Sequence, residues 1–190
     1  VIDSLIYIVA YASPDFSITQ IGNLASLRIG IKNASKEQSE NVLEASALLS
    51  GAHIHHKIAD NIIAAIWRKY ILNCAYNITT ARYNRTIGQL REDPETAAQY
   101  ETLVRESWLV SEAAGAGVPE PSINEIIDQF YHKLDPASTS SLQRDIWAGR
   151  PSELETFSGY LVRKAKELSV PVPLSETMYS DLQKIVSKQS

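Results

Sequence analysis

The sequence has one cysteine, Cys74, among 190 residues. A single thiol closes no disulfide within the chain and builds no thiolate cage for zinc. This excludes a disulfide scaffold and a cysteine-ligated zinc site, and it fits a reducing compartment. Glycine and proline number only 8 each, far from a collagenous or low-complexity composition. No uncharged apolar run reaches the roughly 18–20 residues that cross a bilayer, so no membrane association is expected. Charge of one sign is scarce as well: 18 basic and 22 acidic residues leave a net −4. The densest basic stretches, Trp67-Arg68-Lys69 and Arg163-Lys164-Ala165-Lys166, suit an ordinary helix surface. A nucleic-acid site needs a concentrated basic face, so no nucleic-acid partner is expected. Two catalytic signatures are missing too. No glycine-rich loop follows a strand, since Gly115-x-Gly117 comes after a helical stretch. No nucleophile elbow occurs.

What is present is a globular composition, 44% hydrophobic and 21% charged, in enough chain to bury a core without staples. The chain opens Val1-Ile2-Asp3 and enters an apolar run, Leu5 to Ala10, almost at once. That opening has no basic n-region and is not a signal peptide. It reads as the interior of a strand, so residues are expected to precede Val1.

Residues 1–34 pattern as strands. Leu5–Tyr11 is rich in β-branched and aromatic side chains, Ser13-Pro14-Asp15 is turn chemistry, and Phe16, Ile18 and Ile21 lead to Gly22-Asn23. Leu27–Ile31 then reads as one more strand of a small antiparallel set. From Ser35 the pattern is helical. Ser35 and Gln38 form a capping box, with Gly51 as the stop. A long helix is expected over about Asp60–Tyr83. Asp93-Pro94-Glu95 opens another that ends at Gly115 or Gly117. Ser122 and Glu125 predict a short helix to Leu134, and Ser140 and Gln143 one that ends near Gly149. Pro151 is expected to start a helix to about Leu168, and the last spans roughly Ser175–Lys188.

Three groups of residues have chemical potential. Lys69, Asn73 and Asn77 lie at i, i+4 and i+8 on the long helix, in a stripe about 80° wide, and Thr80 returns near the direction of Lys69. A plain solvent face explains the spacing, but asparagine is a poor helix former and an unusual filler there. Trp67 and Tyr70 flank the lysine, which could act as an acid or a carboxylate anchor. The second group runs from Ser138-Thr139-Ser140-Ser141 through Asp145 to Gly149-Arg150-Pro151-Ser152-Glu153-Leu154-Glu155. Helix capping accounts for much of it, and a small polar pocket shared with Lys69 is the alternative. The third is His53, His55 and His56, with no acidic partner nearby; a linker is the simpler reading, and no metal site is expected. Trp67, Trp108 and Trp147 suit a core or an interface.

Taken together, Trp67-Arg68-Lys69-x-x-x-Asn73-Cys74-x-x-Asn77-x-x-Thr80-Ala81, then Gly88-x-Leu90, then Thr139-Ser140-Ser141-x-x-x-Asp145-x-x-x-Gly149-Arg150-Pro151-x-Glu153 resemble the C-terminal domain of the ketopantoate reductase (2-dehydropantoate 2-reductase) family. Order and spacing agree over about residues 60–175. Tyr7-Ile8-Val9 and Gln20-Ile21-Gly22 are similar to the last strands of that family's nucleotide-binding domain.

The resemblance implies a mainly α fold. Residues 1–58 would be the last strands and helix of a truncated Rossmann-type NADPH-binding domain. Residues 59–190 would be an all-helical substrate domain like the C-terminal domain of 6-phosphogluconate dehydrogenase. It implies a cytoplasmic oxidoreductase that reduces the ketone of ketopantoate to pantoate with NADPH, in pantothenate and coenzyme A synthesis. Lys69 would be the general acid and Glu153 the carboxylate that binds the substrate hydroxyl and orients the lysine. Asn73, Asn77 and Ser141 would bind substrate, the Ser141 hydroxyl at the substrate's carboxylate. Most of the cofactor site would lie outside these residues, which alone should be inactive. A small-molecule 2-oxo acid is the expected partner, with a homodimer as an assembly to test.

Two positions depart from the pattern. Ile87 stands where some members carry asparagine before the Gly88 position, and Ser138 where some carry asparagine before the Thr-Ser-Ser motif. A different 2-oxo acid on the same fold is therefore an alternative, and a non-catalytic helical dimerisation or interaction module is another.

Overall fold

The computed structural model describes residues 1–188, and at 11, 23 and 24 the backbone alone. Its contacts divide it into two compact units, Val1–Ile66 and Trp67–Ser190. The chain is mainly helical, with its described strands confined to the first unit.

In the first unit β1 (Asp3–Ala12) pairs antiparallel with β2 (Ile18–Gly30), from Asp3↔Gly30 to Ala12↔Ile18. The register shifts between Ile8 and Ala10. Gly22-Asn23 does not end a strand: β2 runs straight through Gly22, whose φ of +71° needs no Cβ-free neighbour but does favour glycine itself. A third strand, β3 (His56–Ile58), lies parallel to β2 and on its far side from β1. The sheet is thus mixed, not purely antiparallel, and the expected histidine linker runs into a strand. Parallel pairing requires a crossover, and α1 (Lys36–Gly51) supplies it. Only three residues make β3, with Ile58 the one apolar side chain, which is why no apolar run marks it.

The Ser35–Gln38 capping box of α1 is present in full. Gly51 is the helix's last residue and not its left-handed stop. His53, with φ +57°, takes that conformation two residues later.

In the second unit α2 (Ile62–Tyr83), whose first turn belongs to the first unit, buries Ile71, Cys74, Ala75, Ile78 and Ala81 completely. Around it stand α3 (Ile87–Glu92), α4 (Pro94–Ala113), α5 (Glu120–His132), α6 (Ser141–Trp147), α7 (Tyr160–Glu167) and α8 (Pro173–Ser187). Asp93 caps α4 with Pro94 at its first position, and Gly115 follows its end at φ +69°, as the sequence signals require. Tyr100 of α4 stacks on Phe130 of α5 with centroids 3.9 Å apart. Leu161 and Ala165 of α7 pack with Val110 and Val172. Each buried aliphatic side chain here is worth roughly 1.5–3 kcal/mol.

Three helix expectations need correction. α3 stands where no helix was expected; its own capping box, Thr86 with Gln89, sits in a segment of only 6 residues. α5 begins at Glu120 rather than beyond Ser122, because Pro119 and Pro121 preset the first turn and leave Ser122 inside it. Pro151 does not open a helix. Helical structure begins at Leu154 as a π turn, Glu155–Gly159, that leads into α7.

Candidate active site

The stripe on α2 is not a solvent face. Lys69 and Asn73 are half-buried, and Asn77 is only 6% exposed. Burial holds the Lys69 ammonium below the ordinary lysine range. Asn77 Nδ2 donates to the Asn73 carbonyl at 2.9 Å, which fixes the orientation of the amide. Its Oδ1 is then buried without a hydrogen-bond partner among the described residues. An unmet buried acceptor costs about 1–3 kcal/mol.

Thr80 is fully buried, with its hydroxyl 2.7 Å from the Ser140 hydroxyl. Ser140 is the N-cap of α6 and accepts from the Gln143 N–H at 3.0 Å. Gln143 does not complete the box; its amide donates to Asn84 instead. The Thr80–Ser140 contact ties the start of α6 to α2 and leaves the next residue, Ser141, exposed.

Glu153 is exposed, just before the π turn. Its backbone carbonyl accepts from the N–H groups of Thr156 and Phe157, both at 3.0 Å. The turn in turn meets α2. The Tyr70 hydroxyl lies 2.9 Å from the Thr156 carbonyl and 3.2 Å from that of Phe157, and the Cys74 thiol donates to the Phe157 carbonyl at 3.1 Å. Burial raises the pKa of the Tyr70 phenol and pushes the Cys74 thiol up to about 12. Both groups therefore stay protonated as donors, and Cys74 is not a nucleophile.

Ser141 thus follows a residue, and Glu153 precedes a turn, that is hydrogen-bonded to the helix carrying Lys69, Asn73 and Asn77. Tyr70 and Cys74 are the members that sequence reasoning assigned no such role. Their acceptors lie more than eighty residues away in sequence, so no local signal marks them. Trp67 and Tyr70 are not walls around the lysine alone: Tyr70 packs edge-on against Trp67 and Tyr160, with centroids 5.5 and 5.7 Å away. The Trp108 and Trp147 indoles donate to the Val118 and Ala81 carbonyls.

The two departures meet. The Ile87 N–H donates to the Ser138 carbonyl at 3.2 Å, and the Ser138 hydroxyl to the Asp135 carbonyl at 2.6 Å. The Ile87 side chain itself is completely buried. A cavity of about 640 Å³ opens between Gly149–Leu154 and the end of α8, lined by Arg150, Ser152, Glu155 and Gln183 among others. None of the five candidate residues lines it. His55 pairs with Ser26, and His56 with Ser46 and the Ile54 carbonyl.

Comparison with known proteins places these residues in context. Residues 61–186 match the family model described as the C-terminal domain of ketopantoate reductase PanE/ApbA. The 2-dehydropantoate 2-reductase of Caulobacter vibrioides is 30% identical over 128 residues, 67% of this chain and 43% of that protein. Among solved structures, a PanE/ApbA family ketopantoate reductase from Ralstonia eutropha superposes with a TM-score of 0.84 at 24% identity, over 99% of this chain and 60% of that one. A D-mandelate dehydrogenase solved with NADH and anilino(oxo)acetate superposes at 0.81 and 18% identity, over 97% and 59%. The chain spans about half the length of the curated relatives it matches, 52% and 43% of the first two.

Proposed function

The chain belongs to the ketopantoate reductase family, matched through that family's C-terminal domain, and from this premise we propose that it is the substrate-binding part of a 2-dehydropantoate 2-reductase. On this reading residues 1–58 close a nucleotide-binding domain and residues 59–190 form the substrate domain. The parallel β2–α1–β3 crossover supports the first half, since nucleotide-binding sheets are built from such units. The described residues carry no glycine-rich phosphate loop, so no residue here is assigned to the cofactor. A reduced nicotinamide supplies the hydride, NADPH on the family resemblance.

The residues of this chain do the rest. Hydride arrival at C2 of ketopantoate turns the ketone oxygen into an alkoxide, which needs one proton. Lys69 supplies it, and before that its charge stabilises the developing anion. The desolvation that lowers its pKa also makes it the readier acid. Glu153 accepts from the substrate hydroxyl and orients the ammonium. Asn73 and Asn77 bind substrate through their amides, and the Asn77 Oδ1 has no partner among the described residues. Ser141 donates to the substrate carboxylate. The observation that carries this reading is the half-buried lysine in line with the buried, unsatisfied amide.

The test follows consumption of NADPH, with NADH beside it, by a protein carrying both halves. Ketopantoate is offered with a panel of other 2-oxo acids. Selective turnover of ketopantoate is expected, and Lys69→Ala is expected to keep the fold and lose most of that turnover. Turnover of another acid instead moves the substrate and leaves the mechanism. Turnover of none favours the non-catalytic helical module. A cytoplasmic location and a homodimer belong to the same reading, checked by fractionation and sedimentation.

A further inference from the structure

We propose that Tyr70 is a positioning residue that holds Glu153 in register with Lys69. The inference rests on the roles assigned above to those two residues. Its basis is a chain of hydrogen bonds through the π turn. The Tyr70 hydroxyl meets the carbonyls of Thr156 and Phe157. The N–H groups of the same two residues donate to the carbonyl of Glu153. The peptide that joins Thr156 to Phe157 is thus held by Tyr70 at its carbonyl and holds the Glu153 carbonyl at its N–H. Tyr70 is also the covalent neighbour of Lys69 on α2. One side chain therefore references both proposed catalytic groups to the same helix.

The surroundings keep this reference rigid. Edge-on packing with Trp67 and Tyr160 fixes the Tyr70 ring. Cys74, one helical turn on, adds a second grip on the Phe157 carbonyl. π-helical turns are rare and recur at functional sites. This one begins two residues after Glu153. A loop-borne carboxylate without such a clamp would sample positions an ångström or more apart, and misplacement on that scale costs rates up to about a hundredfold.

The test uses the protein carrying both halves. Tyr70→Phe keeps the ring and removes the donor. It is expected to lower kcat about tenfold while KM for ketopantoate stays within about twofold. Added to Glu153→Gln it is expected to cost little more, because it acts through that carboxylate. Thermal melting of each variant checks the fold. Cys74→Ser, which keeps a donor toward Phe157, should retain more of kcat than Cys74→Ala, independently of any loss of stability in Tyr70→Phe. Wild-type kcat in Tyr70→Phe overturns the inference and leaves the proposed function standing, as do losses that multiply in the double variant. A wild-type protein that turns over no 2-oxo acid overturns the proposed function, and the inference with it.

Discussion

Lys69 illustrates what a single residue's surroundings do. Its ammonium is partly stripped of water by the helices around it, which penalises the charged form and lowers its pKa. A general acid works while protonated. The rate on ketopantoate should therefore be level at lower pH and fall as pH rises through a value below the ordinary lysine pKa of about 10.4. The same shift has a thermodynamic face. Between the lowered and the ordinary pKa the folded protein binds fewer protons than the unfolded chain, so Lys69 makes stability rise with pH there. A pH–rate profile whose alkaline limb reports no such group would remove Lys69 from the proton step. Asn77 makes a complementary case. Asn77→Leu replaces an amide with one unmet oxygen by an apolar group of similar size, so stability should change by no more than about 1 kcal/mol, while KM for substrate rises. Denaturant titration and steady-state kinetics separate the two effects. A large loss of stability with unchanged KM would return Asn77 to a structural role. The stripe of Lys69, Asn73 and Asn77 was legible from the poor helix propensity of asparagine. The Tyr70 and Cys74 donors were not, because their acceptors are backbone carbonyls more than eighty residues away, and no local pattern records those.

Helix ends show where local rules suffice and where they fail. Ser35, Asp93 and Ser140 cap the helices that their residue types announce, because an N-cap bond is made within three residues. α8 is different. Its N-cap, Val172, offers no side-chain bond. Glu106 from the middle of α4 takes over, accepting from the N–H groups of Leu174 and Ser175 at 3.0 and 2.8 Å and from the Ser175 hydroxyl at 2.6 Å. A carboxylate buried at a helix N-terminus is stabilised by those donors and by the helix dipole. Its role was invisible beforehand, since it is a polar residue in an otherwise ordinary helix. Glu106→Ala should strip three donors of their partner and cost about 2–3 kcal/mol, read as a lower urea midpoint at unchanged slope. Glu106→Gln should lose less. An unchanged midpoint in both would show α8 held by its apolar face alone. The π turn lay beyond local rules for a related reason. Its widened geometry brings the carbonyls of Thr156 and Phe157 to donors on α2, and Pro151 reads as a start because Glu153 and Glu155 favour a helix N-terminus.

At the scale of the molecule the two units differ in how much they bury. The helical unit has a continuous core that includes Ile71, Ile78, Tyr100, Leu103, Ile126, Phe130 and Leu161, each completely buried. Among the described residues of the first unit the buried apolar side chains are Leu5, Ile29, Val42 and Ile62, while Ile8, Val9, Ile18 and Leu48 are exposed. The composition foretold a globular chain, and the resemblance of residues 60–175 foretold the helical part. The mixed sheet was harder to see because a parallel partner three residues long leaves no periodicity. The proposed reaction needs more than the helical part. Hydride transfer requires the nicotinamide and the ketone held roughly 3–3.5 Å apart. The groups that grip the cofactor's phosphates are not among the motifs of these 190 residues. The helical unit has a core sufficient to melt cooperatively, and the amides and hydroxyls proposed to bind substrate lie on it. The isolated 190 residues should therefore give a cooperative thermal transition yet oxidise no NADPH in the presence of ketopantoate. The protein carrying both halves should oxidise it under the same conditions. Appreciable oxidation by the 190 residues alone would mean that they hold the cofactor themselves, and the division of labour between the two domains would have to be redrawn.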